Sequence, residues 1–332
     1  MRKLYLQNRN VYKYVGITNF MYFKEKIVKG RKYKYAVRSV RLPNGKVASL
    51  EKIYTGQSKK QLEAELYKRE KKCYTDYMLK NFKPDHILNK NEFIKIEEIR
   101  VNYKKILKKL SKTSLKDLLD RFTANFTYES NALEGNSLTL KDVAMVMFEN
   151  TTIKGKNLRE IYETRNSRKL VEMIVKNKFS ISHKDIIKMH KMLVKDIGVD
   201  TGYKKFPNEI VGRNIKTTLP EKVYEEMDSL IKWYAAEKKK IHPLKVSALF
   251  HGKFERIHPF EDGNGRVGRF LVNVILIENK YPPMIIRKSQ RLAYLNALEK
   301  FDDSHQDTLA RFILEKFKET YRKFFEVYVK YL

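Results

Sequence analysis

HPFEDGNGRVGR, running from His258 to Arg269, is the stretch that decides both the fold and the chemistry of this chain. An apolar helix carrying Val246, Leu249, Phe250, Phe254 and Ile257 approaches it and stops at His258-Pro259, because proline cannot continue the helical hydrogen-bond ladder. Phe260 is the only large apolar residue of the loop and anchors it in the core. Gly263-Asn264-Gly265 then permits backbone geometries closed to other residues, so successive N–H groups can converge on an anion. A second helix begins at once, and its N-terminus adds positive potential at the same point. Arg266 and Arg269 are three residues apart on that helix, so both guanidinium groups share a face and can grip successive phosphates. Asp262 places a carboxylate beside the nest, suited to a divalent metal. His258 is the one side chain here able to accept a proton near neutral pH. A Gly-rich loop with incidental surface arginines does not account for a phosphate cradle, a metal carboxylate and a base within one short loop. Together they imply attack on a nucleotide phosphate.

Outward from this loop the pattern is helical almost throughout the C-terminal two thirds. Apolar periodicity and caps predict helices over Leu115–Leu133, Leu140–Phe148, Leu158–Lys176, His183–Val194, Glu221–Ala236, Leu244–Ile257, Arg266–Asn279, Gln290–Phe301 and Thr308–Lys330. Phe206–Thr218 (FPNEIVGRNIKTT) is short, β-branched and broken by Gly212-Arg213-Asn214, and reads as a hairpin projecting from the helical body. Further upstream, Ser58 and Gln61 have capping-box spacing and open a charged helix to about Asn81; Pro84 follows, and a helix over Phe93–Leu110 comes next. The first sixty residues read as β structure. In Lys32–Arg41, Tyr33, Tyr35 and Val37 alternate with Lys32, Lys34 and Arg38. Pro43-Asn44-Gly45 is a turn, Lys46–Tyr54 a return strand, and a further strand is expected around Tyr12–Ile17. The domains expected are a basic β module over 1–60, a helical connector over 61–110 and a helical domain over 111–332.

Composition bounds the classes. The 332 residues suit about two domains, and their 42% apolar content excludes a disordered tail. The single Cys73 excludes a disulfide framework and a cysteine zinc site, which makes a reducing cytoplasm the expected location. No apolar run reaches the roughly 18 residues of a membrane span. The net charge of +31 is unevenly placed: residues 1–60 hold 16 Lys and Arg against two acids, Glu25 and Glu51. That clustering favours an anion-binding module at the N-terminus, with a Lys-rich composition as the plain alternative. His190, His242, His251, Trp233, Met145 and Met147 read as structural residues.

HPFEDGNGRVGR resembles in full the motif H-P-F-x-[D/E]-G-N-G-R-x-x-R of the Fic-domain AMP-transferases, and the order of flanking elements agrees over about Leu115–Lys318. SNALEGN, Ser130 to Asn136, resembles the family's inhibitory motif in the class whose inhibitory helix precedes the core. TGYKKFPNEIVGRNIKTTLPEKVYEEM resembles the target-docking flap and the helix after it, with Lys204 where the family usually has Arg. The resemblance implies a mostly α fold, a Fic-type helical bundle with a β-hairpin flap (206–218), preceded by the connector and the β module.

It further implies roles. His258 would be the general base for a Ser, Thr or Tyr hydroxyl attacking the α-phosphorus of ATP. Asp262 would bind Mg²⁺. Gly263, Asn264 and Gly265 would hold the α-phosphate, Arg266 the β-phosphate and Arg269 the γ-phosphate. Tyr281, Tyr294 and Asn296 fall where the family builds its adenine pocket, though Tyr281 and Tyr294 equally suit a core. Glu134, with Ser130 in the same motif, would pair with Arg269 and misalign ATP. Glu209, Ile210, Val211 and Ile215 would form the flap edge on which an extended segment of a target protein docks. The reading is a self-restrained, Mg²⁺-dependent protein adenylyltransferase. Some family members use the same glutamate to remove AMP, so one activity or two stay open, as does a homodimer through the core. The alternatives are a nucleic-acid-associated regulator dominated by residues 1–60, or transfer of another group such as UMP.

Overall fold

Tyr22–Val28 (β1), Arg31–Arg41 (β2) and Val47–Ile53 (β3) pair antiparallel in the order β1-β2-β3. The computed structural model describes residues 21–210, 215–330 and 332. The strand expected at Tyr12–Ile17 lies outside them, and β1 is not among the strands expected from the sequence. Its stretch, YFKEKIV, has no buried residue to betray it. The registers place Phe23 opposite Ala36 and Arg38 opposite Leu50. One face of β2 therefore carries Ala36, Arg38 and Val40 in line. That face, which also carries Lys32 and Lys34, is in part the core face. Ala36 packs with Leu62 and Leu66 of α1 (Lys59–Asn81), and Val40 with Tyr74. Arg38 reaches Glu70 at 3.3 Å.

The Ser58 capping box forms as spaced: Gln61 N–H donates to Ser58 Oγ at 3.3 Å, and Ser58 N–H to Gln61 Oε1 at 2.8 Å. Helix α2 (Lys90–Lys109) buries Phe93, Ile96, Ile99, Tyr103 and Ile106 along one side, with Leu107 half-buried beside them. Packing divides the described residues into two units within α2. One holds the sheet, α1 and Asn89–Val101; the other holds Asp85–Leu88 and everything from Asn102 onward.

The second unit is the helical body. Its helices are α3 (Lys112–Leu133), α4 (Leu140–Ala144), α5 (Leu158–Val175), α6 (His183–Leu193), α7 (Pro220–Glu237), α8 (Pro243–Ile257), α9 (Asn264–Glu278), α10 (Arg291–Asp302), α11 (Gln306–Thr320) and α12 (Glu326–Val329). Helix α9 buries every residue from Val267 to Leu276 and packs on α8, with α5 also against it. An all-round buried helix of this kind is the core's axis. Phe126 and Phe270 join α3 to α9 at 5.1 Å between ring centroids. Two expected helices change pitch. Leu140–Phe148 turns to π geometry at Met145–Glu149, stopped by left-handed Asn150 (φ 55°). Thr308–Lys330 breaks at a π turn over Tyr321–Phe325. The hairpin expected at 206–218 is one antiparallel bridge, Glu209 to Lys216, with no regular strand among the described residues.

Candidate active site

The His258–Arg269 loop is pinned from inside. Helix α8 ends with His258 in the left-handed region (φ 51°), its N–H still donating to the Phe254 carbonyl at 3.0 Å. The imidazole Nδ1 lies 3.3 Å from the Glu255 carbonyl oxygen. A carbonyl cannot donate, so Nδ1 carries the proton and Nε2 is left as the acceptor. Phe260 is fully buried and stacks on His190 at 3.9 Å. The Asn264 side chain closes the loop as a ring: Phe260 N–H donates to its Oδ1, and its Nδ2 to the Phe260 carbonyl, both at 2.8 Å. His190 Nε2–H donates to the Asp262 carbonyl at 3.0 Å, and burial pushes the His190 imidazole down to about 4, so it is neutral. Gly263, at φ 82°, caps α9 and lets the chain turn directly into that helix.

Ionic contacts surround this frame. Asp262 is held by Arg159 and lies 3.5 Å from Arg266 Nη2. Arg266, almost wholly buried, meets Glu163 at 2.9 Å, and Glu163 accepts from Asn136 Nδ2 at 3.0 Å. The loop is thereby tied to α5 and to the end of the SNALEGN segment.

Arg269 is buried in the same way and aimed at that segment. Its Nε donates to Ser130 Oγ at 3.1 Å, and Nη2 to the Ser130 carbonyl at 2.8 Å and to Glu134 Oε1 at 2.6 Å. Glu134 is the C-cap residue of α3, where the helix dipole disfavours a carboxylate and a cation relieves it. The carboxylate also lies against the α9 N-terminus: a Cβ on Gly265 would collide with it and come within 3.0 Å of Arg269 Nη1. Although 43% of the Glu134 side chain is exposed, its carboxylate sits among packed groups. That desolvation pushes its pKa up, and the charge and hydrogen bond of Arg269 more than offset it, so the group ends below the usual carboxylate range. Glu134 thus occupies the position an anionic ligand of Gly265 and Arg269 would take.

The structure brings together His258, Asp262, Gly263, Asn264, Gly265, Arg266, Arg269, Ser130 and Glu134. For Asn264 what it leaves to a ligand is the main-chain N–H, since the amide is committed to Phe260. Of the residues expected in an adenine pocket, Tyr294 lies against Arg269. Tyr281 is fully buried, 3.2 Å from His242 Nε2 and edge-on to Phe317. Tyr294 is buried with its hydroxyl 2.7 Å from His251 Nε2, while Asn296 faces solvent. A cleft of about 470 Å³ bounded by Thr218, Trp233, Lys253, Arg256, Ile257 and Phe301 contains none of the motif residues. Of the flap residues, Glu209, Ile210 and Ile215 flank the Glu209–Lys216 bridge and Val211 lies outside the described residues.

Four contributors escape sequence reasoning. Arg159 and Glu163 face the loop from α5; their i, i+4 spacing is visible in the sequence, their destination is not. Glu255, one turn before His258, is buried with Oε2 4.0 Å from His258 Nδ1 and Oε1 3.9 Å from His251 Nδ1. Asn208 donates to the Phe260 carbonyl at 2.7 Å and so moors the flap to the loop. The flap base is tied by Lys204, whose Nζ donates to Asn208 Oδ1 at 2.6 Å and Thr217 Oγ1 at 2.9 Å.

Among the described residues no group of three acidic, His or Cys side chains could cage a metal by itself. Asp262 alone fits Mg²⁺ in one manner, as a single hard oxygen ligand with the remainder coming from substrate phosphates and water. That manner requires Arg159 to yield.

The Fic/DOC family model matches residues 180–276. A protein adenylyltransferase Fic from Drosophila sechellia is 30% identical over 198 residues, covering 58% of this chain and 40% of that protein. The chain therefore spans about two fifths of the length of the curated relatives it matches. A Fic domain containing signaling protein from Bacteroides thetaiotaomicron superimposes with TM-score 0.65 at 26% identity, over 71% of this chain and 96% of that one. Fic-1 (residues 134–508) from C. elegans shares the fold, with TM-score 0.59 at 20% identity over 79% and 82% of the two chains. The loop geometry and these likenesses agree on one point: residues 180–276 form a Fic/DOC-family domain.

Proposed function

We propose that this chain is a protein adenylyltransferase, transferring AMP from ATP to a hydroxyl of a target protein or of itself, and that Glu134 restrains it. The observation that carries the reading is the loop itself, with a left-handed glycine opening α9 beneath two buried arginines and His258 presenting Nε2 beside it. His258 takes the proton of the attacking hydroxyl, whose oxygen bonds to the α-phosphorus as the bond to the β-phosphate breaks and pyrophosphate leaves. The amides following Gly263 and the α9 N-terminus stabilise charge on the α-phosphate, with Arg266 and Arg269 on the phosphates beyond. Asp262 would hold Mg²⁺, which when bound offsets negative charge shared between neighbouring phosphates. The flap, moored through Asn208 and Lys204, gives a target segment an edge beside His258.

Mass spectrometry of the protein after incubation with ATP and Mg²⁺ tests this. One added AMP in wild type or Glu134→Gly, absent in His258→Ala, is the expected result. Modification surviving His258→Ala, or transfer from UTP in preference to ATP, overturns the reading.

A further inference from the structure

We propose that the β1–β2 hairpin binds duplex DNA by entering its major groove as a two-stranded ribbon. From Tyr22 to Tyr35 the chain carries six cations, Lys24, Lys26, Lys29, Arg31, Lys32 and Lys34, against one carboxylate, Glu25. The strands are joined by Lys29 and Gly30, both at positive φ (50° and 76°), the tight two-residue turn that keeps a ribbon narrow. Helix α1 covers the sheet at Ala36 and Val40, so the ribbon beyond Tyr35 toward the turn stands clear of it. Ile27, at the tip, is 75% exposed.

The pairing distributes charge in a way that selects the partner. Register places Lys24, Lys26 and Arg31 on one face, and Lys32 and Lys34 on the other together with Glu25, which meets Lys32 at 2.6 Å. Tyr22 and Val28 share the first face, Phe23 and Ile27 the second. A membrane-binding element needs its apolar groups on one side and its cations at the rim; here both kinds occur on both sides. A groove has a phosphate backbone on each wall, and cations on both faces of an inserted ribbon meet both walls. The B-form major groove, about 12 Å wide, admits a two-stranded ribbon. The A-form RNA major groove is too deep and narrow for side chains to read. Lys24, Lys29 and Arg31 make no ion pair among the described residues, so they reach a phosphate without first breaking a bridge. Lys34 is already poised over Phe23 (4.7 Å) and Tyr54 (5.6 Å). The inference does not depend on the reading of the Fic loop.

The test is fluorescence anisotropy of the full chain with a labelled random-sequence DNA duplex of about 20 base pairs, titrated between about 50 and 200 mM NaCl. Wild type is expected to bind with affinity falling steeply with salt. Lys24→Gln/Lys29→Gln/Arg31→Gln, all at exposed positions, should weaken binding at least tenfold at the lower salt and flatten the log–log salt slope by about 2.7, at roughly 0.9 for each phosphate no longer neutralised. Lys178→Gln/Lys184→Gln/Lys191→Gln, with the same loss of charge on the helical body, should stay within about threefold of wild type. Absence of wild-type binding, equal weakening by both triple variants, equal affinity for an RNA duplex of the same sequence, or preference for phosphatidylserine vesicles would each overturn the proposal.

Discussion

Replacing Glu134 by glycine tests directly the proposed link between the Ser130–Asn136 segment and the His258–Arg269 loop. Arg269 makes three hydrogen bonds, two to Ser130 and one to Glu134, and is 4% exposed. Removing the carboxylate leaves the Ser130 pair to hold the guanidinium in place and frees one N–H of Nη2 and the ground above Gly265. A phosphate that takes up the freed donor gains a charge-assisted hydrogen bond of about 1.5–3 kcal/mol. At 1.4 kcal/mol per decade that is roughly a 10- to 150-fold gain in labelling rate from α-labelled ATP. The stability change should be small. Glu134 is 43% exposed, so its pair with Arg269 is screened and contributes no more than about 1 kcal/mol.

The pH dependence follows from the same contact. The depressed pKa of Glu134 means its share of the lock is full above the ordinary carboxylate range and is lost only as pH falls through the lower, folded value. The ratio of variant to wild-type rate should therefore be flat between about pH 6 and 8. Arg269→Ala placed on top of Glu134→Gly should abolish the gain. Equal labelling of wild type and Glu134→Gly, or a gain that persists without Arg269, would refute the argument.

Other substitutions separate the parts. Gly265→Ala should dislodge Glu134 yet give no activation, because its Cβ fills the ground a phosphate needs; an active Gly265→Ala/Glu134→Gly protein, read by the same labelling, would place the cradle elsewhere. Arg159→Ala should lower the Mg²⁺ concentration for half-maximal labelling about two- to fivefold, the worth of one half-exposed ion pair; an unchanged requirement would mean Arg159 does not compete at Asp262. Burial depresses Lys204 to about 8, below its unfolded value, so between about pH 8 and 10 the unfolded chain binds the extra proton and stability rises with pH. That slope, up to roughly 2–3 kcal/mol by denaturant titration, should vanish in Lys204→Met.

Much of this is legible in the sequence because local rules govern it. The capping box at Ser58, the stop at His258-Pro259, the turn at Gly263 and the Arg266–Arg269 spacing each follow from a few adjacent residues, and each forms as those residues dictate. What is not legible depends on distant neighbours. Arg159 looks like a surface arginine at a helix start until folding sets α5 beside the loop. Glu255 looks like one more polar residue until α9 packs against α8 through Gly268, where a Cβ would fall 2.8 Å from the His251 ring. Strand β1 escapes detection because its residues are exposed on both faces, and only the register with β2 makes it a strand. The π turns at Met145–Glu149 and Tyr321–Phe325 leave the apolar spacing nearly unchanged, so periodicity alone does not announce them.

On the proposed reading, the contacts of Gly265 give a physical reason for restraint and catalysis to share one set of groups. An N-terminus of a buried helix and a buried arginine make a strong anion site whether or not a nucleotide is there, and leaving both unpaired in a low-dielectric interior is unfavourable. A carboxylate at the end of α3 resolves two such problems together. Glu134 escapes the adverse dipole of its own helix, and Arg269 and the α9 amides gain an anion. The Glu134–Arg269 contact is therefore electrostatically satisfied with no nucleotide in place, which is what the proposed restraint requires. If the proposed reading holds, a nucleotide must displace Glu134 from beside Gly265, so the strength of inhibition and the strength of phosphate binding rise and fall with the same residues. On the proposed reading, weakening Arg269 should therefore not raise labelling, whereas removing or moving Glu134 should.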